Sequence, residues 1–370
     1  MCNVFRTVPP KGLVGVIVAA LLSACTYGAA LALSSDEGTA TPGISDYCQF
    51  HRAWGNDYFG TMESVYEKYR NGALENGYLN EGGTVILASD VGYWDALSAS
   101  GYAGNAKAPI LLTGVDDIPA ETSEILQSLQ PSKVIVVGGE AVVSEEVVNQ
   151  AKALLGDMLE VTRIAGETAV DTAYRINRYY SSPVDMHRTA FVVASSGFQD
   201  AMSIAPYCFK ESASIYLANS DGTVDDRVKE VLNWYDDVYF VGGPMVVADD
   251  DEIQKCLNYA GRLYGTTAVD TSRAVANWEL AHGMGVSKMG IASADSWYDA
   301  VVSAPFCAMN NSVMILATNN ETQAIDEITM SRYREAAGYV LGGTAVLSDS
   351  IFEHFPYHGV YNYELTVPKR

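Results

Sequence analysis

Lys133-Val134-Ile135-Val136-Val137-Gly138-Gly139 is an apolar run closed by two glycines, and it decides the fold. The same closure returns at Val241-Gly242-Gly243 and Leu341-Gly342-Gly343, after 104 and 100 further residues. A short apolar run without alternation reads as a strand buried on both faces, as in a parallel sheet. The glycine pair predicts a tight strand-to-helix turn. Upstream of each closure stands an Asp-Ala pair: Trp94-Asp95-Ala96, Gln199-Asp200-Ala201 and Tyr298-Asp299-Ala300. Further upstream lie Arg52-x-x-Gly55 with Thr61, Arg163-x-x-Gly166 with Thr172, and Arg262-x-x-Gly265 with Thr271. The spacing within this lead is identical in all three copies.

A period near one hundred residues exceeds the roughly 20–50 residues of a solenoid unit and matches a small domain. The expected organisation is a targeting segment over 1–33, a linker over 34–45, repeat modules over 46–160, 161–260 and 261–363, and a tail over 364–370. One unit used three times leaves little room for a separate catalytic domain.

Within the first copy, Thr84–Ala88, Pro109–Leu112 and Lys133–Val137 read as buried strands. Helices are expected to start at Asp95, to span Glu121–Gln130, and to run from Ser144 as N-cap to Leu155-Gly156. Strand and helix in alternation predict an α/β fold with a parallel sheet covered on both faces. The fold class is therefore three tandem Rossmann-like α/β modules.

The chain is 48% hydrophobic and 18% charged, with a net charge of −22. The first pair of values fits a globular protein. The acidity, without any Lys/Arg cluster, argues against nucleic acid as a partner. Leu13 to Leu33 carries no charge and follows Arg6 and Lys11. Three readings stand open: an uncleaved signal anchor contacting the membrane, a signal peptide cut after Ala30-Leu31-Ala32, or a lipoprotein signal at Leu22-Ser23-Ala24-Cys25. All three place the repeats outside the cell. Cys48, Cys208, Cys256 and Cys307 lie in the repeats and lack C-x-x-C spacing, so no thiolate metal site is expected. Cys208 and Cys307 sit eight residues after the repeat aspartate, where the first copy has Ala103. They read equally as small packing residues or as disulfide partners.

At these motifs the chain resembles the cell-wall-binding repeat type 2 family, tandem repeats on exported Gram-positive surface proteins. Pro109–Leu112 and Val137–Ser144 carry the likeness most closely, and it covers nearly the whole chain beyond residue 46. The resemblance implies compact modules around a pseudo-threefold axis and non-covalent binding of an anionic secondary wall polymer. It also implies a second arginine three residues after the lead glycine. Those positions hold Tyr58, Ala169 and Ala268 instead. An anionic polymer, a neutral ligand, a local basic groove and bridging divalent cations all stay open.

Two sets of residues are candidate ligand contacts. Asp95, Asp200 and Asp299 stand where α/β sheets bind ligands, at the strand C-termini, but helix capping explains the same position. Arg52, Arg163 and Arg262 suit bidentate contact with acidic groups, or a local structural lock. Asp249-Asp250-Asp251 lacks EF-hand spacing and reads as a helix N-terminus. No metal site, cofactor site or catalytic set is expected. The leading expectation is a non-catalytic module binding a wall glycopolymer. The alternatives are a membrane-tethered scaffold and a wall-active glycoside hydrolase using paired carboxylates.

Overall fold

The computed structural model describes residues 50–180, 189–256, 258–332 and 336–354. The expected targeting segment and tail, and Cys48, lie outside the described residues. The strands are β1 (Phe50–Ala53), β2 (Thr84–Ser89), β3 (Ile110–Thr113), β4 (Lys133–Val137), β5 (Glu160–Ile164) and β6 (Thr189–Val193). They continue with β7 (Ser214–Leu217), β8 (Asp237–Val241), β9 (Tyr259–Leu263), β10 (Gly285–Ser293), β11 (Ser312–Ala317) and β12 (Gly338–Leu341). Every pairing among them is parallel. The central strands are buried on both faces, as their non-alternating apolar sequences require.

Three sheets form, ordered β3-β2-β4-β5, β7-β6-β8-β9 and β1-β12-β10-β11. Each contains four strands, where the sequence predicted three. The additional strand carries the lead arginine, and it belongs to the sheet of the preceding repeat. Arg163 stands opposite Val136, and Arg262 opposite Phe240. β1, the first described strand, pairs with β12 of the last sheet and sets Arg52 opposite Val340. The three registers are equivalent, each two residues before the first glycine of the turn. The repeats therefore close into a ring, with the start of the described chain completing its last sheet.

The centre of that ring is helical. Ser100–Ala106, Gln199–Glu211 and Ala304–Met309 are equivalent helices that pack against one another. Two glycines allow the closest approach. A Cβ on Gly101 would lie 2.0 Å from the Ala213 carbonyl oxygen, and one on Gly104 1.7 Å from that of Phe209. Ala103, Cys208 and Cys307 occupy equivalent, fully buried positions on these helices. Both thiols are free, in keeping with a packing role, and Cys256 is free as well.

Among the expected helices, Glu121–Gln130 appears as Ala120–Leu129 and ends where Gln130 turns left-handed at φ 46°. Ser144 caps Glu145–Leu155, its Oγ accepting from the Glu146 amide. Asp250 caps Asp251–Gln254 through two backbone amides. The helix expected at Asp95 breaks at Ala99 into Trp94–Ser98 and Ser100–Ala106. An unpredicted helix, Tyr58–Glu75, begins at the Asp57 cap. Its buried side includes Thr61, Ser64 and two tyrosines, which blurs the apolar period that would reveal it. Among the described residues no helix is long and apolar enough to cross a membrane.

Candidate functional site

The repeated lead is a three-part lock. Its glycine amide donates to the threonine Oγ1: Gly55 to Thr61 at 3.1 Å, Gly166 to Thr172 at 2.9 Å, and Gly265 to Thr271 at 3.0 Å. The same glycines press on the first turn of the helix that follows. A Cβ would lie 2.2 Å from Gly60 carbon at Gly55, 2.5 Å from Asp171 carbon at Gly166, and 2.3 Å from the Asp270 Cβ at Gly265. Backbone contact at that distance admits only hydrogen, which fixes glycine at this spacing.

The arginine holds the neighbouring turn. Arg163 Nη1 donates to the carbonyls of Gly138 (3.1 Å) and Val143 (2.7 Å), while Nη2 pairs with Glu145 at 2.8 Å. Arg262 donates to the Gly242 carbonyl at 2.8 Å and pairs with Asp249 at 2.9 Å. Arg52 does the same with Gly342 and Asp349, at 2.8 and 3.0 Å. A planar fork that satisfies a backbone carbonyl and a carboxylate together suits arginine and not lysine.

Opposite each arginine, an aspartate closes on the same turn. A Cβ on Gly138 would lie 2.7 Å from Asp95 Oδ2, one on Gly242 2.3 Å from Asp200 Oδ2, and one on Gly342 2.3 Å from Asp299 Oδ2. These glycines also have φ of 107°, 108° and 97°. The structure thus joins the candidate residues in pairs that no single repeat contains: Asp95 with Arg163, Asp200 with Arg262, and Asp299 with Arg52. The aspartates are not N-caps. Asp95 and Asp200 follow Trp94 and Gln199 as second helical residues, and the capping positions Tyr93 and Phe198 make no side-chain cap bond. Burial pushes the Asp95 and Asp200 carboxyls up to about 6. It raises Asp299 as well, with the Thr61 hydroxyl pulling the other way.

The residues before these aspartates join one repeat to the next. Trp94 Nε1 donates to the Ser195 carbonyl at 2.7 Å, and Gln199 Nε2 to that of Ala294 at 3.0 Å. Tyr298 completes the circuit differently. It stacks on Tyr58 with ring centroids 4.3 Å apart, and the Tyr58 hydroxyl donates to Asp90 at 2.8 Å. One position earlier, Tyr93 lies against Phe198 at 5.7 Å and Trp297 at 6.1 Å. This aromatic trio, one residue from each repeat, escaped the sequence reading. The signal was present, since all three copies have an aromatic residue two positions before the repeat aspartate.

Open clefts lie where the second and third repeats meet. The cleft between the second and third repeats has a volume of about 470 Å³ and is walled by Asp200, Gly243, Met245, Tyr264 and Thr271. Tyr264 stands beside Gly243 and is 53% exposed. Trp54 takes the equivalent place beside Gly343, and Ala165 occupies the matching position in the first sheet. Among the described residues no cluster of three His, Cys, Asp or Glu could hold a metal ion.

Comparison with known proteins agrees with this architecture. The family model described as Cell wall binding domain 2 (CWB2) matches residues 52–148, 163–252 and 262–352. Each match begins at a lead arginine. The N-acetylmuramoyl-L-alanine amidase LytC of Bacillus subtilis (strain 168) is 24% identical over 305 residues, covering 81% of this chain and 56% of that protein. The amidase enhancer of the same organism is 25% identical over 272 residues, covering 72% of this chain and 36% of its own length. Cwp6 from Clostridium difficile superposes with a TM-score of 0.69 at 21% identity, over 87% of this chain and 51% of Cwp6. Cwp8 from the same organism gives 0.69 at 26% identity, over 83% and 51%. The chain thus spans between about a third and somewhat over half of these relatives.

Proposed function

Because the chain belongs to the Cell wall binding domain 2 family, we propose that it is a non-catalytic protein of the cell exterior whose three repeat junctions hold a wall glycopolymer. The repeats bind the cell wall. The observation that carries the finer reading is the threefold recurrence of one turn, held by an arginine on one side and closed by an aspartate on the other. A catalytic site needs an asymmetric set of groups in distinct roles. Here each buried acid at a strand end is matched by an equivalent in the other two sheets. Three equal and individually weak contacts to one polymer gain affinity through effective concentration.

In this reading the two sets of candidate residues have different tasks. Arg52, Arg163 and Arg262 hold the turns. Asp95, Asp200 and Asp299, each against the turn on its other side, are the contacts to the polymer, and Asp200 lines the cleft between the second and third repeats. The amidase activity named for LytC belongs to a protein of which this chain spans 56%. Export would depend on the N-terminal segment, by anchor, cleaved signal or lipidation.

The test is incubation of the protein with purified Gram-positive walls. The expected result is co-sedimentation with no new reducing ends and no free amino groups. Release of either would contradict the non-catalytic reading. A protein that stays in the supernatant would contradict wall binding and favour a scaffold.

A further inference from the structure

The junction between the second and third repeats carries more than one hollow. The cleft at Asp200 and Tyr264 adjoins another of about 420 Å³, and the two share Gln199 and Ala268 as a common wall. Both volumes suit small-molecule pockets. Together they form a groove that crosses the junction, bridged by the Gln199 bond to Ala294. The second hollow is lined further by Asp295, Glu321, Thr318, Asn319 and Asn320. Among the described residues, no lysine, arginine or histidine lines either hollow.

The groove also holds an acceptor without a protein donor among the described residues. Asp200 is half-buried on the wall of the cleft, where burial raises its carboxyl and no donor or cation among the described residues offsets the cost. A partly desolvated carboxylate without a protein donor is stabilised by a ligand that brings one. Tyr264 supplies a half-exposed ring at the mouth, and Met245 beside it is 92% exposed. An aromatic face with amide, hydroxyl and carboxylate acceptors matches a sugar: an apolar ring face edged by hydroxyl donors. A phosphate or carboxylate-bearing polymer would meet Asp200, Asp295 and Glu321 without a compensating cation.

We infer that this groove is a subsite for a non-anionic glycan segment, which stacks on Tyr264 and donates hydroxyl hydrogen bonds to Asp200 and Asp295. The inference rests on the wall-binding function proposed above and specifies the charge class of its ligand at this junction. It also separates the site from a polyanion groove by the sign of a charge substitution. Removing a carboxylate strengthens binding to a polyanion but weakens binding to a hydroxyl donor.

The experiment measures binding of the full chain to purified walls that retain their secondary polymers. The variants are Asp200→Asn, Asp295→Asn and Tyr264→Ala. Each is expected to weaken binding at least threefold. Thermal stability should be unchanged for the Tyr264 and Asp295 variants and unchanged or higher for the Asp200 variant. Wild-type binding should change less than about twofold between low and high salt, because few counterions are released. Tighter binding by either asparagine variant, a steep loss with salt, or no effect of any variant would overturn the inference. Wild-type protein that fails to bind walls at all would instead overturn the proposed function.

Discussion

Arg52 Nη1 donates a 2.8 Å hydrogen bond to the carbonyl of Gly342, 290 positions away in the chain. The contact exists because the ring of repeats must be closed by a strand that precedes every complete repeat. Its guanidinium side chain is 4% exposed, against 19% for Arg163 and 9% for Arg262. Arg52→Ala is therefore expected to cost the most of the three, about 2 kcal/mol, the scale of a hydrogen bond to a charged group. Arg52→Lys should recover little of it, since one ammonium cannot reproduce the fork. Chemical denaturation of the three alanine variants checks the order.

Gly242 is constrained twice, by its φ of 108° and by Asp200 Oδ2 lying 2.3 Å from where a Cβ would stand. Gly242→Ala is expected to destabilise by about 1–3 kcal/mol, the range for strained backbone. Adding Asp200→Ala should remove the clash but not the strain, so the pair should recover only part of the loss. A double-mutant cycle on unfolding free energies measures both parts. Full recovery would show that the left-handed turn costs nothing.

Asp95 and Asp200 make opposite demands on folding and on binding. Their carboxyls are pushed up from 3.8 to about 6, so the folded state holds the proton more tightly than the unfolded chain. Their contribution is then complete below about pH 4, is lost as pH rises toward 6, and is flat above. Asp95→Asn and Asp200→Asn should flatten that part of the stability profile and raise the melting temperature at pH 7. A thermal melt series from pH 4 to 8 reads this directly.

Glu279 is wholly buried on the helix that packs against Gln199–Glu211, and neither of its oxygens has a hydrogen-bond partner of good geometry. Burial raises it well above the carboxylate range, while the Tyr207 backbone and Lys210 offset this in part. The geometry and the direction agree that the folded protein holds it neutral. Its sign is the same as that of the aspartates, so stability is lost as pH climbs from about 4.5. Glu279→Gln should stabilise the protein at pH 8 more than at pH 5, measured by urea midpoints. An equal gain at both would contradict a buried, protonated acid.

Much of this architecture was legible from spacing. Buried strands such as Lys133–Val137, the Ser144 cap, the helix N-terminus at Asp249-Asp250-Asp251 and the glycine turns all follow from local rules of pattern and conformation. The arginine strand was not legible. Glu160–Ile164 is polar and only half-buried, as an edge strand is, and its pairing with Lys133–Val137 is a property of the ring. The aspartates were placed correctly at a helix start but not at a cap, because the Gly-Gly turn they touch is some forty residues away in sequence. Arg52 and Gly342 share no local pattern, and only ring closure brings them together.

Sedimentation of the full chain with purified walls, before and after acid extraction of their secondary polymers, tests the central claim most directly. Strong binding to intact walls and loss of most binding after extraction is the predicted result. Equal binding to both would contradict a glycopolymer as the ligand of the three junctions.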